Sequence, residues 1–200
     1  MKYFLDTEFI EGFHKPLFGK RRHFIDLISI GIVCEDGREY YAISNEYNPK
    51  DADGWVIEHV IIPMYRQTVH GDARNHVNAL NFHKSFGKSN KQIADEIRLF
   101  FGCYEDSLFW RAPPRIKMYA YYADYDWVLL CSLFGRMIDL PKGFPMYCCD
   151  LKQRFDEEFT EEIKKDQRYP AQKDEHNALA DARWNKELHA FMEKYLDEKI

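Results

Sequence analysis

The segment 26–34 (DLISIGIVC) constrains the fold more than any other stretch of the chain. Its Ile and Val residues are β-branched, and such a run, bounded by a turn, reads as a buried strand. Glu35-Asp36-Gly37 is a turn signal, and residues 38–44 (REYYAIS) return as a second strand, which predicts a hairpin. Residues 2–9 (KYFLDTEF) read as a further short strand. Between them, residues 13–23 (FHKPLFGKRRH) carry a Pro, a Gly and four basic side chains and read as an exposed loop.

Helices alternate with strands after the hairpin. Residues 50–62 are expected to hold a helix containing Trp55, Ile57 and Val60, whereas the polar stretch 63–88 supports no assignment. Ser89 and Gln92 have capping-box spacing and open a helix over 90–102, with Ile93, Ile97, Phe100 and Phe101 on one side. A strand over 116–122, a helix from about Asp126 to Phe134, a short strand over 145–149 and a long helix over 177–197 complete the chain. This order predicts an α/β sheet of mixed strand direction with helices on its faces. At 200 residues, without repeats or a Gly/Ser linker, a single domain over 1–200 is expected.

Hydrophobic residues at 46% and charged residues at 30% fit a globular protein and argue against disorder. The net charge of −5 counts against a partner gripped by bulk positive charge. Were four of the acids metal ligands, the remainder would carry −1, and bound divalent ions would attract phosphate locally. The cysteines Cys34, Cys103, Cys131, Cys148 and Cys149 are odd in number and form no CxxC pair, which argues against a zinc module. Free thiols fit a reducing compartment. The N-terminus has no signal-peptide pattern and no apolar run approaches 18 residues, so a cytoplasmic protein with no membrane span is expected.

Three groups of residues carry chemistry. Asp6 and Glu8 lie two apart on a strand and share a face. Among Phe4, Leu5 and Phe9 they would repel each other and lose hydration, which a divalent cation relieves; hard oxygen ligands suit Mg²⁺ or Mn²⁺. The plainer reading is a strand end whose acids reach solvent. Asp124 and Asp126 sit where a strand gives way to a helix, a place where ligands gather in α/β sheets and where an Asp also serves as a simple N-cap. His176 and Asp181 lie five apart, about 140° around a helix, and would not share a face if both were helical. Asn177 as helix cap would put His176 on the loop before the helix and Asp181 in its first turns; a surface His and a dipole-complementing acid is the alternative.

Taken in order, D-x-E near the N-terminus, an Asp after a mid-chain strand and H-x-A-x-x-D opening the last helix closely resemble the DEDD superfamily of 3′–5′ exonucleases. The His places the chain with its DEDDh subgroup. The strings Tyr3–Ile10 (YFLDTEFI) and Asp26–Gly31 (DLISIG) are similar to small bacterial and phage 3′–5′ exoribonucleases with an RNase T-like core. The resemblance spans residues 3 to 190. Two departures stand out: Tyr122 occupies the place where the family often has Asn four residues before the third Asp, and the loop at 13–23 is longer. The following Val-Leu-Leu favours Asp126 as that third Asp, with Asp124 the alternative.

The resemblance implies an RNase H-like mixed central sheet flanked by helices and two Mg²⁺ or Mn²⁺ ions per site. Asp6 would bridge both ions, Glu8 and Asp181 would complete the first and Asp126 would support the second. His176 would act as general base, and the products would be 5′-nucleoside monophosphates. The partner would be an RNA 3′ end, with DNA as the alternative polymer, and relatives of this type often form homodimers. Phe9 and Ile10 are candidates to wedge against the terminal base, unless Phe9 is core. Backbone groups at Thr7 and Glu8 are candidates for the terminal 3′-OH and 2′-OH. Lys15, Lys20, Arg21 and Arg22 would guide phosphates, or form a solvated loop. His59, His70, His76 and His83 match no zinc spacing and are expected in solvent or loop hydrogen bonds. Trp55 and Trp110 are expected in the core or a subunit contact. A DNA exonuclease on the same scaffold, or a non-catalytic nucleic-acid-binding module, are the competing readings.

Overall fold

The computed structural model describes residues 1–14, 18–69, 76–103 and 115–198, and only the backbone of His76 and Val77. The alternation at the N-terminus builds β1 (Lys2–His14), which pairs antiparallel with β2 (Arg22–Cys34). Beyond it, β2 pairs antiparallel with β3 (Glu39–Ile43). On the other edge, β4 (Lys117–Ala120) and β5 (Cys149–Asp150) add in parallel. The sheet therefore has five strands in the order β3-β2-β1-β4-β5. It is the mixed α/β architecture that the resemblance implied.

Each face is covered according to the pleat. Tyr3, Leu5, Ile30, Ile32 and Met118 pack with Ile93 and Ile97 of α5 (Asn90–Phe100) and Leu129 and Leu130 of α6 (Ala123–Ser132). On the opposite face, Phe4, Val33 and Tyr119 meet Leu151 and Phe155 of α7 (Leu151–Glu158) and Leu188 and Met192 of α8 (Ala178–Asp197). Each fully buried side chain of this size contributes about 1.5–3 kcal/mol relative to exposure. Ser89 caps α5 by accepting the Gln92 N–H, as its spacing predicts.

Two expectations change. The stretch 63–88 is mostly helical among its described residues, until Lys88 bridges to Ser44. A continuous helical segment runs through α1 (Gly54–Val56), a π-helical turn (Ile57–Ile61) and α2 (Ile62–Val69), and is followed by α3 (His76–Asn81) and α4 (His83–Phe86). These elements cover a third core cluster in which Ile61, Met64, Tyr65 and Phe82 pack on Ile10, Ile28 and Ile43. The region 13–23 is not one loop, since β1 runs to His14 and β2 starts at Arg22. Phe13 faces His23 at 5.5 Å and His14 stacks on Phe24 at 4.4 Å, and such cross-strand aromatic pairs extend the ladder to Arg22, short of Lys20 and Arg21. Lys15, His70 and Trp110 lie outside the described residues.

Candidate active site

β4 pairs with Lys2, Tyr3 and Phe4, so among the described residues that edge of β1 has no strand partner from Leu5 onward. Side chains take over the backbone groups there. The Asn185 amide of α8 donates to the Leu5 carbonyl at 2.9 Å. Asp126 of α6 accepts both the Thr7 N–H at 2.9 Å and the Thr7 hydroxyl at 2.6 Å through the same oxygen. Asp6 and Glu8 thus sit on a strand held in place by the two helices that carry Asp126 and Asp181.

Gly31 brings α8 close. It is the cross-strand partner of Asp6, and a Cβ there would fall 2.2 Å from the Ala178 carbonyl oxygen. Only glycine lets the first turn of α8 rest on the sheet beside Asp6, and a Gly inside a strand is the signal that marks such a close approach. Asn177 caps this turn by accepting the N–H groups of Leu179 and Ala180. His176 therefore lies on the loop before the helix. Its backbone takes the left-handed conformation, φ 66°, and its N–H donates to Asp181 at 2.9 Å. Gln172 donates to the other oxygen of Asp181 at 2.6 Å.

As a result, carboxylate oxygens of Asp6, Glu8 and Asp181 lie within 4.8 Å of one another. Asp126 stands outside this trio but is close enough to act on its charge. Burial first, and then Asp126, Glu8 and Asp181, raise the Asp6 carboxyl well above its usual range. Burial, followed by Asp181 and Asp126, pushes Glu8 up to about 8. Burial raises Asp126 to about 7 against the opposing hydrogen bonds from Thr7, and burial likewise raises Asp181. No Lys or Arg is among the causes acting on these four groups. Four buried acids with raised proton affinity, three of them converging, make a donor set suited to a hard divalent cation. Asp6, Glu8 and Asp181 would hold it directly, with Asp126 beside them.

Asp124 is exposed and Asp126 is buried toward the other acids, so α6 turns the second of the pair inward. Tyr122, just before α6, is left-handed at φ 59°, a conformation that Asn adopts readily and Tyr does not.

The expected substrate contacts divide. Thr7 is buried and both its donors are spent on Asp126, so it supports that carboxylate and has no donor left for a terminal hydroxyl. Ile10 is buried in the third core cluster and has no surface to wedge against a base, because it packs beside Ile28 where Ser29 and Leu27 pair with Glu8 and Phe9 across a β-bulge. Phe9 is half-buried and stacks on the exposed Tyr125 at 5.5 Å with rings 9° apart. Lys20, Arg21 and Arg22 are exposed at the far end of the β1–β2 hairpin.

The remaining singled-out residues also move. Trp55 is half exposed and not core; its ring meets His176 at 4.8 Å and stacks on His59 at 4.7 Å. His83 is fully buried against Tyr47 instead of solvated. The His76 side chain lies outside what is described. Sequence reasoning missed Gln67, Gln172 and Asn185: the partners of Gln67 and Asn185 lie far along the chain, and Gln172 meets Asp181 only once the loop folds back on α8.

Residues 1–192 match the family model described as the 3'-5' exoribonuclease Rv2179c-like domain, and the chain belongs to this family. It is similar to two curated proteins of Mycobacterium tuberculosis, the 3'-5' exoribonuclease Rv2179c of strain H37Rv and the 3'-5' exoribonuclease MT2234.1 of strain CDC 1551. Each is 33% identical over 183 residues, covering 92% of this chain and 88% of the relative. No helix among the described residues is long and apolar enough to cross a membrane.

Proposed function

We propose that this chain is a divalent-metal-dependent 3′–5′ exoribonuclease of the DEDDh type that shortens single-stranded RNA, or a 3′ overhang, one nucleotide at a time. The observation that carries this reading is the convergence of Asp6, Glu8 and Asp181 within 4.8 Å, where His176 is the basic group acting on them among the described residues. Kinship with proteins named 3'-5' exoribonucleases supports the choice of polymer and polarity. The family match from residue 1 to 192 supports reading the whole chain as one exonuclease domain.

Two Mg²⁺ or Mn²⁺ ions, when bound, would supply the Lewis acidity that stabilises the attacking and leaving oxygens of an in-line displacement. The residues prepare the rest. Asp6, Glu8 and Asp181 hold the charge, and Asp126 is fixed beside them by Thr7. His176, on its loop beside Asp181, takes the proton of the attacking water. Phe9, stacked on Tyr125, offers an aromatic face to the terminal base, and Lys20, Arg21 and Arg22 draw the phosphates. A cytoplasmic location fits the five free thiols, and a homodimer is the assembly that the resemblance implies.

A 5′-labelled single-stranded RNA and a DNA of the same sequence, incubated with Mn²⁺, Mg²⁺ or EDTA, test the reading on a denaturing gel. The expected result is a metal-dependent ladder shortening from the 3′ end of the RNA. Equal ladders on DNA would make the enzyme a general exonuclease. The absence of any ladder would turn the reading to a binding module.

A further inference from the structure

His176 must present its ring from a strained loop, and the structure contains a device for that. The segment Gly54–Val69 touches the loop at two consecutive residues. The Trp55 ring meets the His176 ring at 4.8 Å in an edge-to-face arrangement, with ring planes 79° apart. Asn177 Nδ2 donates to Gln67 Oε1 at 2.6 Å, leaving Asn177 Oδ1 to cap α8. Trp55 is in turn backed by His59, stacked at 4.7 Å, whose Nδ1 is 3.0 Å from the Trp55 carbonyl oxygen.

The π-helical turn explains how both residues reach the loop. Trp55 and Gln67 are twelve positions apart, which in an uninterrupted α-helix would place them about 120° apart. A π turn absorbs one extra residue, and the angle closes to about 20°. The irregular turn at Ile57–Ile61 thus puts Trp55 and Gln67 on one face, opposite His176 and Asn177. A regular helix would forfeit one of the two contacts.

We propose that Trp55 is a positioning residue for exonucleolytic cleavage: it fixes the His176 ring edge-to-face while Gln67 anchors the loop through Asn177. The inference rests on the reading of His176 as general base. Backbone strain of this kind, φ 66° at His176 and φ 53° at Asp174, persists only where surrounding contacts impose it. Without Trp55 the imidazole keeps its chain position and loses its orientation. A misplacement of about 1 Å costs on the order of 100-fold in rate.

The test is a double-mutant cycle on a 5′-labelled single-stranded RNA with saturating Mn²⁺, comparing the wild type, Trp55→Ala, His176→Ala and the double variant. Trp55→Ala is expected to lower kcat by about 10- to 100-fold with KM nearly unchanged. It should add little in the His176→Ala background, because a residue that acts through His176 has nothing left to position. Trp55→Phe should restore most of the lost rate. The ring contact has its own readout: the His176 ring-proton resonance should shift in Trp55→Ala, whatever the activity. A rise in KM with kcat intact would make Trp55 a base-stacking contact and overturn the proposal, as would full additivity in the double variant or an unmoved resonance. If His176→Ala cleaves like the wild type while the resonance still shifts, the general-base reading fails and the ring contact stands.

Discussion

Glu8→Gln should make the metal-free protein more stable while abolishing cleavage. In the folded chain, burial and the Asp181 and Asp126 carboxylates push the Glu8 carboxyl up to about 8, from an ordinary 4.5. A group whose proton affinity is raised by folding contributes stability at low pH, and that contribution is lost as pH rises from about 4.5 through 8. Each decade is worth about 1.4 kcal/mol, so at pH 8.5 the ionised side chain costs up to about 5 kcal/mol in the absence of metal. Removing it should raise the melting temperature in EDTA by roughly 5–15 °C for a domain of this size. At pH 5 the two proteins should melt close together. Mn²⁺ should reverse the order at pH 8.5, because it stabilises the intact carboxylate set more than the amide variant. Thermal melts by circular dichroism at pH 5 and 8.5, with EDTA and with Mn²⁺, decide the matter. A variant less stable than the wild type in EDTA at pH 8.5, or a difference independent of pH, would refute the reasoning.

Gly31→Ala should be severe: its Cβ meets Ala178 and Leu179 backbone atoms at 2.2–2.5 Å, and backbone cannot yield as a side-chain tip can. Denaturant unfolding should show a loss of about 3 kcal/mol or more, with cleavage falling as α8 is displaced. Thr7→Val removes the hydroxyl bond to Asp126 and keeps the backbone one; a loss of about 1.5–3 kcal/mol in urea melts and reduced turnover are expected. Tyr122→Asn relieves a left-handed Tyr before α6 and should gain about 1 kcal/mol, read from the same melts. Reversing the charges of Lys20, Arg21 and Arg22 should weaken RNA binding and flatten its salt dependence in a fluorescence titration, and unchanged binding would make the hairpin end a solvated tip.

The parts legible in the sequence are those written locally. The apolar alternation around Asp6 and Glu8 placed both acids on one strand face, and Asn177 announced itself as the cap that leaves His176 on the loop. Ser89 did the same for α5. What the sequence hid is nonlocal. Thr7 carries no local sign that Asp126, from a helix far along the chain, takes both its donors. Ile10 lies on β1 two residues past Glu8 but turns into the core beside the bulge. The basic run at 13–23 masked a hairpin that Phe13, His14, His23 and Phe24 hold together across the strands. The polar stretch 63–88 hid helices because it is rich in His and Asn, while apolar residues within it, among them Met64, Tyr65 and Phe82, help to cover the third core.

The central claim is that the acids gathered by β1 and α8 exist to hold the cation that cuts RNA, and calorimetric titration of Mn²⁺ into the wild type and Asp6→Asn tests it most directly. The wild type should take up Mn²⁺ at neutral pH, and Asp6→Asn, folded by circular dichroism, should lose that uptake together with RNA cleavage. Undiminished Mn²⁺ binding by Asp6→Asn would place the cation elsewhere and contradict the account.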